Sequence, residues 1–581
     1  MKEKVDKKKI CRILREMADF LAIKGENPFR IRAYHKAADA IEHLSGDLEE
    51  FLKKGKLSEV PGIGKGMVEK IEVILKTGTL PAYEEMKASF PPGLIEILSV
   101  PEIGPKTAKL LYEKMGIKNL EELEKAAKEG RLRSLFGMGA KKEENILRGI
   151  KLYKTTSSRI LLGKALPIVE EAISELRKKA SSIIKDISPA GSLRRGKETV
   201  GDIDILATSS NPSSLMEAFT SLSFVREILA KGQTKSSILT DEGLQIDLRV
   251  VSPDCFGAAI QYFTGSKSHN IKLRERALRR GLKINEYGVF TTEGRRIAGE
   301  KEEDVYRVLD LSFIPPELRE DRGEIEAAEK NMLPELLRRE DIKGDLHVHT
   351  KWTDGADDIE DMVEKARKMG YEYIAITDHS SSLKVAGGLE PDEILKQIEK
   401  IEKLNQKLKD IRILKGIEVN VKLDGSLDLP DEILSKLDVV IAAIHTGLKQ
   451  EAELITKRAV KAIQHPLVHI FAHPSGRLLG EREASAIDLD RVLDVAEKEG
   501  VWLEINAQPD RLDLTDYWAM EAKKRKVKIV INTDAHSKDS LEFMRLGVIT
   551  ARRGWLEKRD VVNTLSLEEL LGELAKRKSK I

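Results

Sequence analysis

Between His347 and His536 the chain places nine residues able to ligate a metal, six histidines and three carboxylates, each at the end of an apolar run or just after it. In order they are His347 and His349 in GDLHVHT, Asp354 in TDG, His379 in AITDHS, Glu418 in GIEVN, His445 in AAIHTG, His473 in FAHPSG, and Asp534 and His536 in INTDAHS. From residue 343 onward the runs YIAITD, IRILKGIEV, VVIAAIH, VHIFAHP, VWLEINA and KIVINTDAH alternate with helical stretches, the pattern of a β/α barrel. Functional groups in such barrels sit at the C-terminal ends of the strands, so this fold class predicts that the nine converge. A lone buried histidine is more often a hydrogen-bonding core residue. Here, however, eight of the eleven histidines fall in this part and six take these positions, leaving His465 and His469 unassigned.

The spacing points to multinuclear chemistry. His347 and His349 are two apart, so on a strand both imidazoles face one way and can serve one ion. Carboxylates such as Glu418 and Asp534 can bridge two cations, and ions roughly 3.5–4 Å apart stabilise both the attacking and the leaving oxygen in phosphoester hydrolysis. With only two cysteines, Cys11 and Cys255, the site must use imidazole and carboxylate, which favours zinc, manganese or iron over magnesium. The same scarcity excludes a disulfide framework and suits a reducing cytoplasm.

A second constellation lies upstream. Asp202 and Asp204 in GDIDIL are one residue apart, so on a strand both carboxylates point the same way and can hold two magnesium or manganese ions; Asp247 in LQIDLRV would complete the set from a neighbouring strand. Gly191 and Ser192 in AGSLRRG supply a turn whose backbone N–H groups and hydroxyl can cradle phosphate, with Arg194 and Arg195 as counter-charges. Such a set suits attack of a 3′ hydroxyl on a triphosphate. Further forward, PGIGKG at 61–66 and VPEIGPKTA at 100–108 each put a glycine turn before a helix, an arrangement that meets DNA phosphate without reading sequence; FGMGAKKEENI is a weaker third copy. The net charge of +2 conceals a basic front, with 60 Lys+Arg against 53 Asp+Glu up to residue 340, and an acidic back, with 39 against 44. At 581 residues several domains are expected, and neither a signal peptide nor an apolar run long enough for a membrane span is visible.

At these residues two families are resembled. HVHT, TDH, GIEVN, AAIH, AHPSG and TDAH look like the motifs of the PHP (polymerase and histidinol phosphatase) domain over about 343–575. That resemblance implies a distorted seven-stranded barrel with three ions of zinc, manganese or iron: one on His347, His349, Glu418 and Asp534, one on Glu418, His445 and His473, and one on Asp354, His379 and His536. All nine positions are filled, which implies an active domain. The stretch GSLRRGKETVGDIDIL, with QIDLR, YFTGSKSHN and GLKINEYGVF, is similar to the DNA polymerase X family, of which polymerase beta is a member. By that resemblance Asp202, Asp204 and Asp247 are catalytic, and Gly191, Ser192, Arg195 and Gly201 contact the incoming nucleotide. Tyr262, Phe263 and Gly265 line its sugar and minor-groove side, Asn270 meets the base, and Arg274 touches the template. Lys267 departs from the family, standing where polymerase beta is acidic.

The glycine turns resemble helix-hairpin-helix motifs, with Gly62, Gly64, Gly66 and Gly104 as DNA contacts. PFRIRAYHKAADAI resembles the lyase domain of polymerase beta, where Arg30, Tyr34 and Lys36 would meet a 5′ phosphate and Lys70 would be the Schiff-base lysine, although Gly66 replaces a neighbouring family lysine. The implied organisation is a lyase-like helical domain (1–80), a second helical domain (81–155), an α/β nucleotidyltransferase palm (156–252), a thumb-like subdomain (253–316), a helical linker (317–342) and the PHP barrel. The implied function is a DNA polymerase filling short gaps in base excision repair, with a 3′-5′ exonuclease or phosphoesterase in the barrel. Its partners would be gapped or primed double-stranded DNA and dNTPs, as a cytoplasmic monomer with no membrane association. Two rivals are a DNA-binding scaffold with an inert barrel and a small-molecule phosphatase; the paired hairpin motifs argue against the second, since a small substrate has no use for them.

Overall fold

A computed structural model describes residues 7–578 except 43–47, 54, 56, 61, 92, 99, 101–102, 136, 157–158 and 480–481. It divides into two compact units, Met1–Ser158 and Arg159–Ile581. Among the described residues the first unit has helices and no strands. Its longer helices include α1 (Lys7–Lys24), α2 (Pro28–Glu42), α3 (Lys65–Thr77) and α4 (Pro105–Met115). Apolar residues at helical spacing give it two cores, one around Leu14, Met17, Tyr34, Ile71 and Ile74, the other around Leu111, Leu123, Leu132 and Ile146.

The second unit opens with α5 (Leu162–Ala180) against a mixed five-stranded sheet. Its strands β1 (Ile184–Pro189), β2 (Ile203–Ser209), β3 (Val225–Lys231), β4 (Lys235–Thr240) and β5 (Gln245–Val250) lie in the order β1-β2-β5-β4-β3. Only β2 and β5 run parallel, in a register that sets Asp204 opposite Asp247. Helices α6 (Phe256–Thr264) and α7 (Lys267–Arg279) follow, then a three-stranded antiparallel sheet within 282–298.

The barrel contains seven parallel strands in chain order, β6 (Gly344–Asp345), β7 (Tyr373–Ile376), β8 (Arg412–Asn420), β9 (Val439–Ala443), β10 (Ile470–Phe471), β11 (Trp502–Asn506) and β12 (Ile529–Asn532). Strands β7, β9, β11 and β12 are buried at every residue, as expected of parallel strands covered on both faces. A parallel bridge between Val348 and Ala535, with the His349 N–H donating to the Ala535 carbonyl at 2.9 Å, brings the first strand back to the last and nearly closes the barrel.

Residues 317–342 differ from the helical linker expected of so charged a stretch. They hold one short α-helix, Glu324–Glu329, and Arg319 and Glu324 within them are fully buried, while most of their other charges stay exposed. The fully buried Arg319 pairs with Glu302 at 2.5 Å and lies over the rings of Tyr306 and Phe313. The barrel packs directly on the palm: Leu512 and Leu546 join the palm core, the latter from α8 (Met544–Arg553). Ion pairs cross the same junction, Arg477 with Glu198 at 2.7 Å, Arg545 with Glu170 at 3.0 Å and Arg552 with Glu317 at 2.7 Å. Among the described residues no helix is long and apolar enough to cross a membrane.

Two predictions follow from this junction. Leu546→Ala should cost about 2–5 kcal/mol and should expose palm as well as barrel sites to limited proteolysis; unchanged palm protection would refute shared packing. Burial disfavours the Glu320 carboxylate, but Arg553, Lys197 and Arg195 outweigh it and hold the group at about 2, below its ordinary 4.5. A depressed folded value stabilises above the unfolded one and loses that contribution as pH falls through the folded one. Glu320→Gln should therefore shallow the loss of stability between pH 4.5 and 2, read from urea midpoints across that range; an unaltered acid slope would refute it.

Candidate functional site

The nine candidate ligands meet at one end of the barrel because strand ends and the loops after them carry all of them. Glu418 is central. Its Oε1 lies 3.0 Å from His473 Nε2, 3.2 Å from His445 Nε2 and 3.5 Å from His347 Nε2, while its Oε2 lies 2.7 Å from His379 Nδ1 and 3.6 Å from His349 Nε2. Asp534 Oδ1 is 3.1 Å from His349 Nε2 and 3.7 Å from His347 Nε2. Asp354 faces His536 at 3.4 Å and His379 at 3.6 Å. Three sets have ligand atoms mutually within 4.8 Å: His347, His349 and Asp534; His379, Glu418 and His445; and His349, Asp354, His379 and His536. His473 and Asp534 take left-handed backbone, φ +28° and +50°, which is uncommon outside glycine and tends to cluster at functional sites.

The donor set fits divalent metal. His347 Nε2, both nitrogens of His349, His379 Nδ1 and Glu418 Oε2 are buried without a hydrogen-bond partner, an arrangement too costly to keep unless a cation takes the lone pairs. Electrostatics agree. Burial opposes charge on Glu418, yet His445, His379 and His347 hold it well below the carboxylate range; Asp534 is held low in the same way by His347 and His349. Burial also opposes charge on His379, but Glu418 and Asp354 raise it to about 10. Burial and neighbouring His379 press His349 down to about 3. Carboxylates held in their charged form beside an imidazole that sheds its proton leave lone pairs and negative charge for a cation to take.

Sequence reading missed the residues that aim these ligands. Glu504, fully buried in β11, accepts from His347 Nδ1 at 2.7 Å and from the His473 N–H at 2.9 Å, so His347 presents Nε2 to the centre. Asp378 fixes the loop after β6 by accepting from the Thr350 N–H and hydroxyl, at 2.8 and 2.7 Å. Arg511 brings a guanidinium to 3.7 Å from Asp534. The available signal was a lone acid inside an apolar strand, VWLEINA.

In the palm, Asp204 and Asp247 are direct neighbours across β2 and β5, and Asp202 stands exposed just before β2. Burial, then Asp202 and Asp247, push the Asp204 carboxyl up to about 6, a crowding of negative charge that divalent cations relieve. Asp247 accepts from Gln245 at 2.8 Å and pairs with Lys235 at 2.9 Å. Gly191, at φ +63°, sits over this cluster: a Cβ there would lie 3.2 Å from Asp204 Oδ2. Ser192 is half-buried on the same turn, and Gly201 precedes Asp202. Arg195 is tied to Glu320 at 3.0 Å, and Arg194 to Glu302 at 2.7 Å. Tyr262 and Phe263 end α6, before Gly265. Asn270 on α7 donates to the Tyr262 carbonyl at 2.7 Å, and the exposed Arg274 donates to the Asn270 carbonyl at 3.2 Å. Lys267 is exposed at the start of α7.

In the helical unit, Gly64 caps α3 and Gly104 caps α4, both extended, with Pro105 in the first turn of α4. Gly62, at φ +99°, packs on α2, where an added Cβ would lie 3.2 Å from the Lys36 carbonyl oxygen. Lys70 donates to the Gly66 carbonyl at 2.7 Å. Arg30 and Lys36 are exposed, whereas Tyr34 is 2 % exposed and burial raises its hydroxyl pKa. Pro61, Pro101, Glu102 and Phe136, all within the hairpin motifs, lie outside the described residues.

Family models match in four places: Helix-hairpin-helix domain at 5–80, SAM-like Helix-hairpin-helix tandem at 94–151, DNA polymerase beta thumb at 259–320 and PHP domain at 345–508. These define a beta-type polymerase architecture joined to a metal-dependent PHP phosphoesterase barrel. The chain is 39% identical over 567 residues to the DNA polymerase/3′-5′ exonuclease PolX of Bacillus subtilis (strain 168), covering 97% of this chain and 98% of that protein. It belongs to the bacterial PolX family of DNA polymerases with a PHP domain. One third of it also matches probable phosphatases, at 34% identity over 203 residues in Thermoanaerobacter sp. (strain X514) and 30% over 201 in Acetivibrio thermocellus, in each case over 78% of the relative.

Glu504→Gln should weaken metal binding about 10–100-fold while leaving the barrel folded. Metal content after graded chelation, read beside circular dichroism, checks it; wild-type retention would remove Glu504 from the site.

Proposed function

We propose that the chain is a gap-filling DNA polymerase of base excision repair whose barrel shortens or cleans 3′ ends. The observation that carries this reading is the juxtaposition, in one compact unit, of the paired Asp204 and Asp247 strands and a barrel with all nine ligands present and several left without hydrogen-bond partners. An inert scaffold has no need to bury so many imidazoles and carboxylates with nitrogens and oxygens left without hydrogen bonds, so the scaffold alternative is disfavoured.

For extension, Asp202, Asp204 and Asp247 hold two Mg2+ or Mn2+ ions, which supply charge neutralisation and activation of the 3′ hydroxyl. Gly191 keeps the space above Asp204 open, and Ser192 and Arg195 receive the triphosphate. Gly201, exposed just before Asp202, contacts the same nucleotide. Tyr262, Phe263 and Gly265 form the sugar side, Asn270 the base contact and Arg274 the template contact. For shortening, His347, His349, Glu418 and Asp534 hold one ion of zinc, manganese or iron, Glu418, His445 and His473 a second, and Asp354, His379 and His536 a third. Bound there, such ions supply Lewis-acid stabilisation of phosphodiester or phosphomonoester cleavage. Glu504 fixes the His347 ring, and Arg511 stands beside Asp534 to meet the substrate phosphate. Abasic-site endonuclease and 3′-phosphatase activity fit the same chemistry.

Gly62, Gly64, Gly66 and Gly104 turn backbone N–H groups toward DNA phosphate, and Arg30 and Lys36 meet a 5′ phosphate. Lys70 is the candidate lyase nucleophile, and a borohydride-trapped adduct on a 5′-deoxyribose-phosphate gap tests it. The protein acts as a monomer in the cytoplasm, where its two buried cysteines stay reduced.

The test is a time course on a labelled primer in a one-nucleotide gap with manganese. Asp247→Ala should abolish extension and keep shortening, whereas His349→Ala should do the reverse. Shortening that survives His349→Ala, or extension that survives Asp247→Ala, would sink the corresponding assignment.

A further inference from the structure

The turn that carries the phosphate cradle is held from below by the barrel. Arg553, at the C-terminal end of α8 and 4% exposed in its side chain, donates through Nη1 to the Arg195 carbonyl at 2.6 Å and to Glu320 Oε1 at 3.1 Å. The same Glu320 Oε1 accepts from Arg195 Nε at 3.0 Å. Arg195 Nη1 donates in turn to the Thr264 carbonyl at the end of α6, so two of its three guanidinium nitrogens are spent on position. Asp516 holds Arg553 in place through Nη2 at 2.7 Å and is itself shared with Arg322 at 3.1 Å. Gly196 completes the fit. It has φ +64°, and a Cβ there would stand 2.2 Å from Ile549 Cγ2 on α8, so the cradle turn is moulded against that helix. Beyond the turn, Glu198 pairs with Arg477, four residues after the ligand His473.

We propose that Arg553, a residue of the barrel, is a positioning residue for nucleotide binding in the palm, acting through Glu320 and the Arg195 carbonyl to set the angle of the Arg195 guanidinium. The inference rests on the reading of Arg195 as a triphosphate ligand. Its physical basis is pre-organisation. An arginine locked in place before the triphosphate arrives loses little side-chain freedom on binding, whereas a loose one loses more and binds more weakly. Arg553 makes its bonds to the turn and to Glu320, so its loss should weaken dNTP binding more than turnover.

The experiment uses the full chain, with steady-state gap filling for Arg553→Leu, Arg553→Lys and Arg195→Leu, and primer shortening without dNTPs as the check on folding. Arg553→Leu should raise the dNTP KM about 10–100-fold with a smaller fall in kcat and unchanged shortening. Arg553→Lys, which keeps the charge without the fork, should fall between it and wild type. A purely architectural residue would lower both activities together and would show no graded rescue. A wild-type KM in Arg553→Leu, while Arg195→Leu raises it, overturns the proposal and leaves the role of Arg195 standing. A wild-type KM in Arg195→Leu overturns that role and the proposal with it. If Arg553→Leu loses shortening through misfolding, Arg553→Lys decides: a raised KM with intact shortening supports the proposal and an unchanged one overturns it.

Discussion

Two carboxylates, Glu418 and Asp534, are buried where water cannot solvate their charge, and the architecture of the barrel mouth follows from the need to neutralise them. Six imidazoles approach them from different strand ends, and burial alone would keep those rings neutral. The outcome is divided: Glu418 and Asp354 drive His379 toward the imidazolium form, while burial and then the neighbouring His379 drive His349 away from it. Such a cluster is poorly satisfied by protons. Divalent ions satisfy it better, since each neutralises more charge and takes several lone pairs at once. The supporting carboxylates Glu504 and Asp378 make sense in this light, as they hold rings and loops where cations need them.

The palm solves a related problem with less burial. Its three aspartates crowd together on the edges of two parallel strands, and Asp204 responds by holding its proton more tightly than an ordinary carboxyl. Lys235 and Gln245 steady Asp247, while Asp202 stays open to solvent. One centre is deeply set and imidazole-rich, with Asp354 exposed and His536 half-buried; the other is open and oxygen-only. Hard-cation chemistry suits the second and borderline-metal chemistry the first.

Much of this was legible in the linear chain, for identifiable reasons. The convergence of the nine candidate ligands could be anticipated because most of them end or follow an apolar strand, and the parallel topology gathers those ends together. The palm aspartates could be read from an alternation of two that a strand turns into a shared face. Glu504 was missed because a single acid within VWLEINA differs little from an ordinary buried carboxylate until the fold sets it against His347. Within 317–342 the burial of Arg319 could not be read from the sequence, because a high density of charge usually means solvent, whereas Arg319 is enclosed by Glu302 and two rings. The junction was invisible for a different reason. Arg553 and Arg195 lie 358 positions apart, and no local pattern connects them.

The packing of barrel against palm through Leu512, Leu546 and the crossing arginines also bears on how opposing reactions share one polypeptide. Synthesis and degradation are built into a single compact unit, so the spacing between the two centres is a property of the fold and not of a tether. A primer terminus that is to visit both must therefore be the part that travels.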